Sequence, residues 1–252
     1  MKDQRNIIKE ALKDQKEIFG DFLYETLSIK SYSSTVTEEK SIVKENTSNY
    51  TDNTISKITD ESFWSCTSID ELNNSINTCK KCRLGAKRNK FVFGSGNPNA
   101  DVMIIGEAPG ADEDRQGKPF VGRAGKLLTD ILKAINFDRD EVYIANILKC
   151  RPPNNRNPLP DEMDACTPYL YKQIELIKPK TILCLGLVAA SYLINQKLSL
   201  TKMRGNIYEV KGIQTMVTYH PAALLRNPNW KRGCWEDVQK FRKLYDNLAG
   251  NN

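Results

Sequence analysis

The stretch that decides the fold spans residues 100–128 and reads ADVMIIGEAPGADEDRQGKPFVGRAGKLL. It opens with a short apolar run, Val102 to Ile105, which Gly106 stops, a pattern typical of a buried parallel strand. Glycines and a proline then turn the backbone at the carboxyl end of that strand, where open α/β sheets bind ligands. An acidic segment and an aromatic residue that we expect to be exposed, Phe120, follow before the next helix. The stretch predicts either a site at the top of a sheet or an ordinary strand-to-helix connection.

Further apolar runs predict the rest of the sheet. Strands are expected at 140–150, 181–185, 206–210 and 214–219, with helical patterns between most of them. Alternation of strands and helices is typical of parallel α/β folds. We therefore expect one three-layer α/β/α domain with a mainly parallel central sheet.

The N-terminal part of the chain differs from this domain in composition. Residues 1–30 predict an amphipathic helix, whose apolar face could pack on the main domain or on a partner. Residues 31–62 are rich in Ser, Thr, Asn, Glu and Lys, as in a flexible linker. The main domain is expected to occupy residues 63–252.

Charge is distributed unevenly along the 252 residues. The net charge is +6, but residues 1–78 carry −5 and residues 79–252 carry +11. A basic domain favours a polyanionic partner such as nucleic acid over a generic basic surface. No apolar run approaches membrane-spanning length, and the N-terminus resembles neither a signal peptide nor a transit peptide. We expect a cytoplasmic protein without a membrane partner.

The chain contains seven cysteines, an odd number that argues against a disulfide framework and for metal ligation. Cys79 and Cys82 form a CxxC pair, which suits a redox pair, half a zinc site or half a cluster site. Cys150 and Cys166 make a wider pair across a proline-rich segment. Four thiolates can bind zinc or a [4Fe–4S] cluster, and the wide second pair favours the cluster over zinc. Four unrelated buried cysteines are the alternative to a metal site.

Two polar residues stand at predicted strand ends. Asn146 lies near the end of an apolar strand, where a buried amide is costly unless it bonds to backbone or to a ligand. His220, the one histidine of the chain, ends the last strand and is either structural or functional. Leucines and an arginine follow it, and an apolar wedge beside a cation suits entry into a stacked duplex.

Four segments in order carry a family resemblance. They are GEAPG at 106–110, GKPFVGRAG at 117–125, NILKCRPP at 146–153 and HPAALLR at 220–226. They resemble the motifs of family 4 uracil-DNA glycosylases, the iron–sulfur enzymes of bacteria and archaea, over about residues 76–248. A related branch that traps DNA covalently has a histidine in the loop that here runs from Cys150 to Pro160, and this chain has none there.

The resemblance implies an enzyme that hydrolyses the N-glycosidic bond of uracil in DNA and leaves an abasic site without cutting the strand. The flipped uracil would stack on Phe120, and Asn146 would donate to O4 and accept from N3–H. His220 would donate to O2, where negative charge grows as the bond breaks. Leu224 would fill the gap left in the duplex, and Arg226 would hold phosphate.

The residue that positions the attacking water stays open at this point. Ala108 would line the substrate site where the best-known branch of the superfamily has an aspartate. By similarity, Glu107, Glu113 and Asn155 are the candidates, and Glu113 is also a candidate for the wall that excludes the methyl group of thymine.

The resemblance also implies a [4Fe–4S] cluster that braces two loops near DNA without a redox step. Its ligands would be Cys79, Cys82, Cys150 and Cys166. We expect a monomer that acts on uracil-containing DNA. A non-catalytic iron–sulfur nucleic-acid-binding protein and an iron–sulfur electron carrier are the alternatives, and the complete set of Phe120, Asn146 and His220 argues against both.

Overall fold

The computed structural model of the protein describes residues 61–250. The predicted helix of residues 1–30 and nearly all of the predicted linker at 31–62 lie outside the described residues. The strands are β1 (Ser95–Gly96), β2 (Val102–Gly106), β3 (Tyr143–Asn146), β4 (Thr181–Leu185), β5 (Ile207–Val210) and β6 (Ile213–Thr218). The α-helices are α1 (Ile69–Ile76), α2 (Ala111–Gln116), α3 (Arg123–Ala134), α4 (Pro160–Ile177), α5 (Leu187–Ile194), α6 (Leu200–Met203), α7 (Pro221–Arg226) and α8 (Lys231–Ala249). Short 3-10 turns lie at Glu61–Ser65, Arg83–Ala86, Pro153–Asn155 and Pro228–Trp230.

The strands form one sheet in the order β1-β3-β2-β4-β6-β5. The four central strands are parallel, and the edge strands β1 and β5 pair antiparallel to their neighbours. The predicted mainly parallel sheet is confirmed. The two-residue strand β1 was not predicted, because so short a strand carries no readable alternation of apolar and polar residues.

Side chains of the central strands alternate between two cores. In β2, Met103 and Ile105 face the core that α1, α4 and α5 cover. Val102 and Ile104 face the opposite core, which α3 and α8 cover. Because successive side chains of a strand point to opposite faces, an unbroken apolar run is what a sheet buried on both faces requires. The three-layer prediction is confirmed.

The carboxyl ends of the parallel strands lie at one edge of the sheet. The register pairs Gly106, the last residue of β2, with Asn146, the last residue of β3. His220 follows β6 at the same edge and begins α7. The acidic segment after β2 forms helix α2 instead of an irregular loop. Within residues 61–250, no helix is long and apolar enough to cross a membrane.

Candidate active site

A pocket of about 340 Å³ opens at the carboxyl edge of the sheet. Five separate parts of the chain line it: the loop after β2 with the start of α2, the segment between α2 and α3, the end of β3, the proline-rich loop after Cys150, and α7 with its cap. The predicted site residues that line it are Glu107, Ala108, Glu113, Phe120, Asn146, Asn155, His220 and Arg226. The fold thus brings together residues that lie more than a hundred positions apart in the sequence.

The floor of the pocket is made by Gly106 and Asn146. A Cβ atom on Gly106 would lie 2.4 Å from Asn146 Oδ1 and 2.7 Å from Phe120 Cζ, so only glycine leaves room there. Asn146 is 2% exposed, and its Oδ1 has no hydrogen-bond partner within the described part of the chain. A buried acceptor without a donor is costly. Asn146 Oδ1 is therefore suited to accept a hydrogen bond from an N–H group of a bound ligand.

Phe120 closes one side of the pocket and is braced from both directions. It is 6% exposed, so the expected exposed aromatic is in fact buried, and its φ of 52° is a left-handed conformation that costs a non-glycine residue about 1 kcal/mol. The Arg139 guanidinium donates to the carbonyls of Pro119 and Phe120 at 2.8 and 3.0 Å. The Glu113 carboxylate accepts from the amides of the two residues after Phe120, at 2.9 and 3.2 Å. These bonds hold the ring in place despite the backbone strain.

His220 faces Phe120 across the pocket, with the ring centroids 5.5 Å apart. Its Nδ1 accepts the backbone N–H of Ala222 at 3.1 Å, which caps α7. Burial and, to a smaller extent, the charge of Arg226 lower the pKa of His220 to about 4, against an opposing effect of Glu113. The imidazole is therefore neutral at pH 7. Because Nδ1 is an acceptor, the proton of the neutral ring resides on Nε2.

The three candidate water-positioning side chains have different surroundings. Glu113 is engaged by its two amide bonds near Phe120 and by a third from the Gly110 N–H at 3.1 Å. Asn155 Oδ1 accepts from Arg151 Nε at 2.8 Å. Glu107 is half-buried in the pocket wall, and no side chain in residues 61–250 pairs with its carboxylate. Burial raises its pKa. Glu107 is thus the acid in this group that is free to bind a water molecule.

The structure places the predicted wedge residue, Leu224, away from solvent. Leu224 is fully buried in the core beneath α7 and cannot enter a duplex while that helix is folded. Residues 220–226 form helix α7 and its histidine cap, and Leu225, the residue after Leu224, is 41% exposed. The exposed leucine at this edge of the pocket is therefore Leu225.

Comparison with known proteins agrees with this geometry. Residues 93–239 match the family model of the Uracil DNA glycosylase superfamily. The chain belongs to this superfamily. It is 46% identical to the Type-4 uracil-DNA glycosylase of Sulfurisphaera tokodaii, over 70% of this chain and 84% of that protein. The Type-4 enzymes of Archaeoglobus fulgidus and Thermotoga maritima are each 43% identical, over 70% of this chain and 93% and 94% of theirs. The resemblance read from the four motifs is confirmed.

The four cysteines that the family 4 resemblance singled out lie near one another beside the proline-rich loop, close enough for their charges to interact. Cys150 and Cys166 are buried, Cys79 and Cys82 are half-buried, and all four are free thiols. Burial, with a smaller contribution from Cys82 and Cys79, raises the pKa of Cys150 to about 11. Within residues 61–250, no group of three or more His, Cys, Asp or Glu side chains could hold a metal ion.

Donors point at three of these sulfur atoms. Tyr169 Oη donates to Cys79 Sγ at 3.2 Å, Arg88 Nη1 to Cys150 Sγ at 3.4 Å, and the Lys149 amide to Cys166 Sγ at 3.3 Å. Such N–H and O–H donors to sulfur are the surroundings that iron–sulfur thiolates have in proteins. The thiol chemistry and these hydrogen bonds are those of cluster ligands, whereas the four side chains as they lie in residues 61–250 do not form a metal-holding group.

Two supporting residues were missed by reasoning from the sequence. Lys149 is fully buried and donates to the Asn146 carbonyl at 2.8 Å and to Gln173 Oε1 at 2.6 Å, so it fixes the backbone of the pocket floor. A lysine between apolar residues and a cysteine could have signalled burial. Arg139 lies in a charged turn that reads as an ordinary solvated surface, and no local signal marks it.

Proposed function

We propose that this protein hydrolyses the N-glycosidic bond of uracil in DNA, releasing free uracil and leaving an abasic site. The observation that carries the proposal is the buried Oδ1 of Asn146, which has no partner within residues 61–250 and lies beside Gly106 and Phe120. That acceptor matches N3–H of uracil, and the amide N–H₂ of the same side chain matches O4. Cytosine presents an acceptor at N3 and a donor at N4, so it meets this amide with the wrong pattern.

A base inside a duplex cannot reach this pocket, so the nucleotide must be flipped out of the stack. Phe120 then stacks on the uracil ring. The Glu113 carboxylate, fixed by three backbone amides, forms a rigid wall of the pocket and excludes the methyl group of thymine. Since those amides engage both carboxylate oxygens, we assign Glu113 to shaping the pocket.

His220 stabilises the leaving group. As the glycosidic bond lengthens, negative charge accumulates on uracil O2 and the sugar becomes oxocarbenium-like. The neutral imidazole donates Nε2–H to O2, because the Ala222 amide occupies Nδ1. The low pKa keeps the ring neutral before the reaction, so His220 acts as a hydrogen-bond donor instead of a general acid.

Glu107 is our candidate for the residue that orients the attacking water. Its carboxylate is the unpaired acid of the pocket, whereas Asn155 is bonded to Arg151. Burial raises the pKa of Glu107, which makes its carboxylate a better base than a solvated one. No lysine in the four motifs is implied as a Schiff-base nucleophile, so an uncut DNA backbone is expected.

The DNA contacts follow from the corrected position of the wedge. We propose that Leu225, not Leu224, fills the space that the flipped nucleotide leaves, and that Arg226 at the pocket rim holds a phosphate. The charge of +11 on residues 79–252 supplies the non-specific attraction to DNA.

We further propose that Cys79, Cys82, Cys150 and Cys166 hold a [4Fe–4S] cluster. When bound, the cluster would fasten the segment near Cys79 to the proline-rich loop and supply no redox step. Arg88 and Tyr169 would donate hydrogen bonds to its thiolates. Protein made under iron-replete conditions should be brown and absorb broadly near ~400 nm, and stoichiometric zinc without iron would contradict this assignment.

The catalytic unit is proposed to begin near Phe63. Phe63 and Cys66 are buried in the core, so the described part of the chain is anchored from this point onward. A chain that begins at Glu61 should fold and keep its specific activity. A loss of more than about tenfold would mean that the preceding residues contribute to DNA binding or catalysis.

The deciding experiment is uracil release from a labelled oligonucleotide, without added divalent metal, from single- and double-stranded DNA. Wild-type protein should yield alkali-labile abasic sites and intact strands before alkali treatment. Asn146→Asp should lose uracil recognition, because an ionised carboxylate cannot donate to O4. The Asn146→Asp variant and the wild-type protein should bind uracil-free DNA with equal affinity, since the phosphate contacts are unchanged. If wild-type protein released no uracil from either DNA, the glycosylase proposal would be wrong and a non-catalytic DNA-binding protein would replace it.

A further inference from the structure

A stack of aromatic and cationic side chains lies beside the pocket and has no part in the reaction described above. The Trp230 ring stacks on Tyr219 with the centroids 5.1 Å apart and the planes 17° from parallel. The Arg204 guanidinium lies 4.0 Å from the centroid of the Tyr219 ring and donates to Tyr219 Oη at 2.8 Å. Tyr219 is therefore held between a cation and an indole.

The base of this stack is fixed in the protein interior. Arg204 Nε pairs with Asp237 Oδ2 at 2.6 Å, and Thr218 Oγ1 donates to the same oxygen at 2.8 Å. Asp237 is 3% exposed, so this ion pair is mostly shielded from water. Because Tyr219 is held from below, the orientation of Trp230 is set before any ligand arrives, which lowers the entropy cost of binding.

The top of the stack is open to solvent. Trp230 is 42% exposed although Tyr219 covers one of its faces, so much of the rest of the ring is accessible. It ends the 3-10 turn that directly follows α7, the helix that carries the exposed Leu225 and the pocket residue Arg226. Lys231 and Arg232 come next in the chain. An accessible aromatic face, an apolar side chain and several cations thus share the edge at which the pocket opens.

The second exposed tryptophan provides a contrast. Trp64 is 45% exposed, but it lies with Pro179 and Ile213, beside the amino ends of β4 and β6. That position is at the opposite edge of the sheet from the pocket. Trp230 therefore differs from the equally exposed Trp64 in lying at the edge where the pocket opens and in stacking on a supported tyrosine.

We propose that Trp230 is a stacking platform for an unpaired nucleobase of the substrate DNA, next to the uridine that enters the pocket. The inference rests on the proposed function and adds a second, sequence-tolerant contact to it. Every base has a π-face, so an indole face beside cations can bind a flanking base without reading its identity. The contribution should be largest on single-stranded DNA, because the bases of an intact duplex are already stacked on their neighbours.

The test compares full-length wild type with Trp230→Ala, Trp230→Phe and the matched control Trp64→Ala. On a single-stranded uracil oligonucleotide, Trp230→Ala should raise KM on the order of tenfold with kcat unchanged. Trp230→Phe should recover most of the loss, and Trp64→Ala should match wild type. Equal KM values for Trp230→Ala and wild type, or an equal effect of Trp64→Ala, would overturn the proposal.

A second substrate isolates the stacked base. When the nucleotides on both sides of the uridine are replaced by abasic residues, the difference in KM between wild type and Trp230→Ala should disappear. A full difference on this substrate would show that Trp230 acts without a base and would refute the stacking role.

A binding measurement separates this proposal from the proposed reaction. Uracil-free single-stranded DNA should quench the fluorescence of wild type more than that of Trp230→Phe. This result would support the platform even if no uracil were released. Equal quenching would count against the platform even if uracil release were normal.

Discussion

The low pKa of His220 predicts how the stability of the protein responds to acid. The chain has one histidine, and its pKa falls from an ordinary 6.5 to about 4 in the folded state. Below pH 6.5 the unfolded chain binds a proton that the folded chain refuses, so acid favours unfolding. The contribution is fully present above pH 6.5 and is lost as the pH falls toward 4. The displacement corresponds to about 3 kcal/mol of unfolding free energy.

The matched variant is His220→Asn. Asparagine has no titrating group in this range, and its side-chain oxygen can still accept the Ala222 amide as a helix cap. Unfolding free energies of both proteins should be measured by denaturant titration between pH 7 and pH 4. Wild type should lose about 3 kcal/mol more than the variant over this interval.

Nuclear magnetic resonance of the single imidazole tests the same reasoning directly. The nitrogen chemical shifts of ¹⁵N-labelled protein should show a neutral ring with its proton on Nε2 at pH 5. Enzyme activity is a poorer probe here, because Glu107, whose pKa burial raises, also titrates on the acid side. A measured His220 pKa of 6 or above, or a proton on Nδ1, would refute the assignment of the neutral donor.

Three further predictions concern the surroundings of the pocket. Leu224→Ala should lower the unfolding free energy by about 2–5 kcal/mol, because it leaves a cavity in the core. Leu225→Ala should leave stability unchanged and should reduce uracil release from duplex DNA more than from single-stranded DNA. Arg139→Met should raise KM, because it removes the donors to the Pro119 and Phe120 carbonyls, and Arg139→Lys should recover part of the loss. An unchanged KM would show that the loop keeps Phe120 in place without Arg139. Glu107→Gln should lower kcat by about 10²–10⁴ in single-turnover assays while substrate binding persists.

Much of the site followed from the sequence because of a property of parallel sheets. Apolar runs predicted one strand that Gly106 stops and a second over residues 140–150; the second in fact ends at Asn146, which the parallel register pairs with Gly106. A histidine after the last strand had to arrive at that same edge. The family resemblance grouped Phe120, Asn146 and His220, and the parallel arrangement of the strands explains why they meet in one pocket.

The errors arose where side-chain direction depends on contacts distant in the sequence. Leu224 and Leu225 are adjacent residues of the same type, so the sequence does not distinguish them. The packing of α7 on the core decides which one is buried. Phe120 was expected to be exposed because its glycine-rich loop reads as a surface. Arg139, 19 positions away, and the Glu113 carboxylate draw that loop inward. Such bonds across loops leave no periodic pattern in the sequence.

The seating of Leu224 in the core has a mechanical consequence. Helix α7 buries Leu224 in the core and presents the adjacent Leu225 to solvent, so the exposed leucine stands on a fixed base. A force that DNA would apply at Leu225 would pass through α7 into the close-packed side chains that α3 and α8 cover, which deform little. The DNA, and not the protein, would then deform on binding, because the duplex would have to bend around a fixed side chain. Damaged or weakly paired sites bend most readily, so they would be opened first.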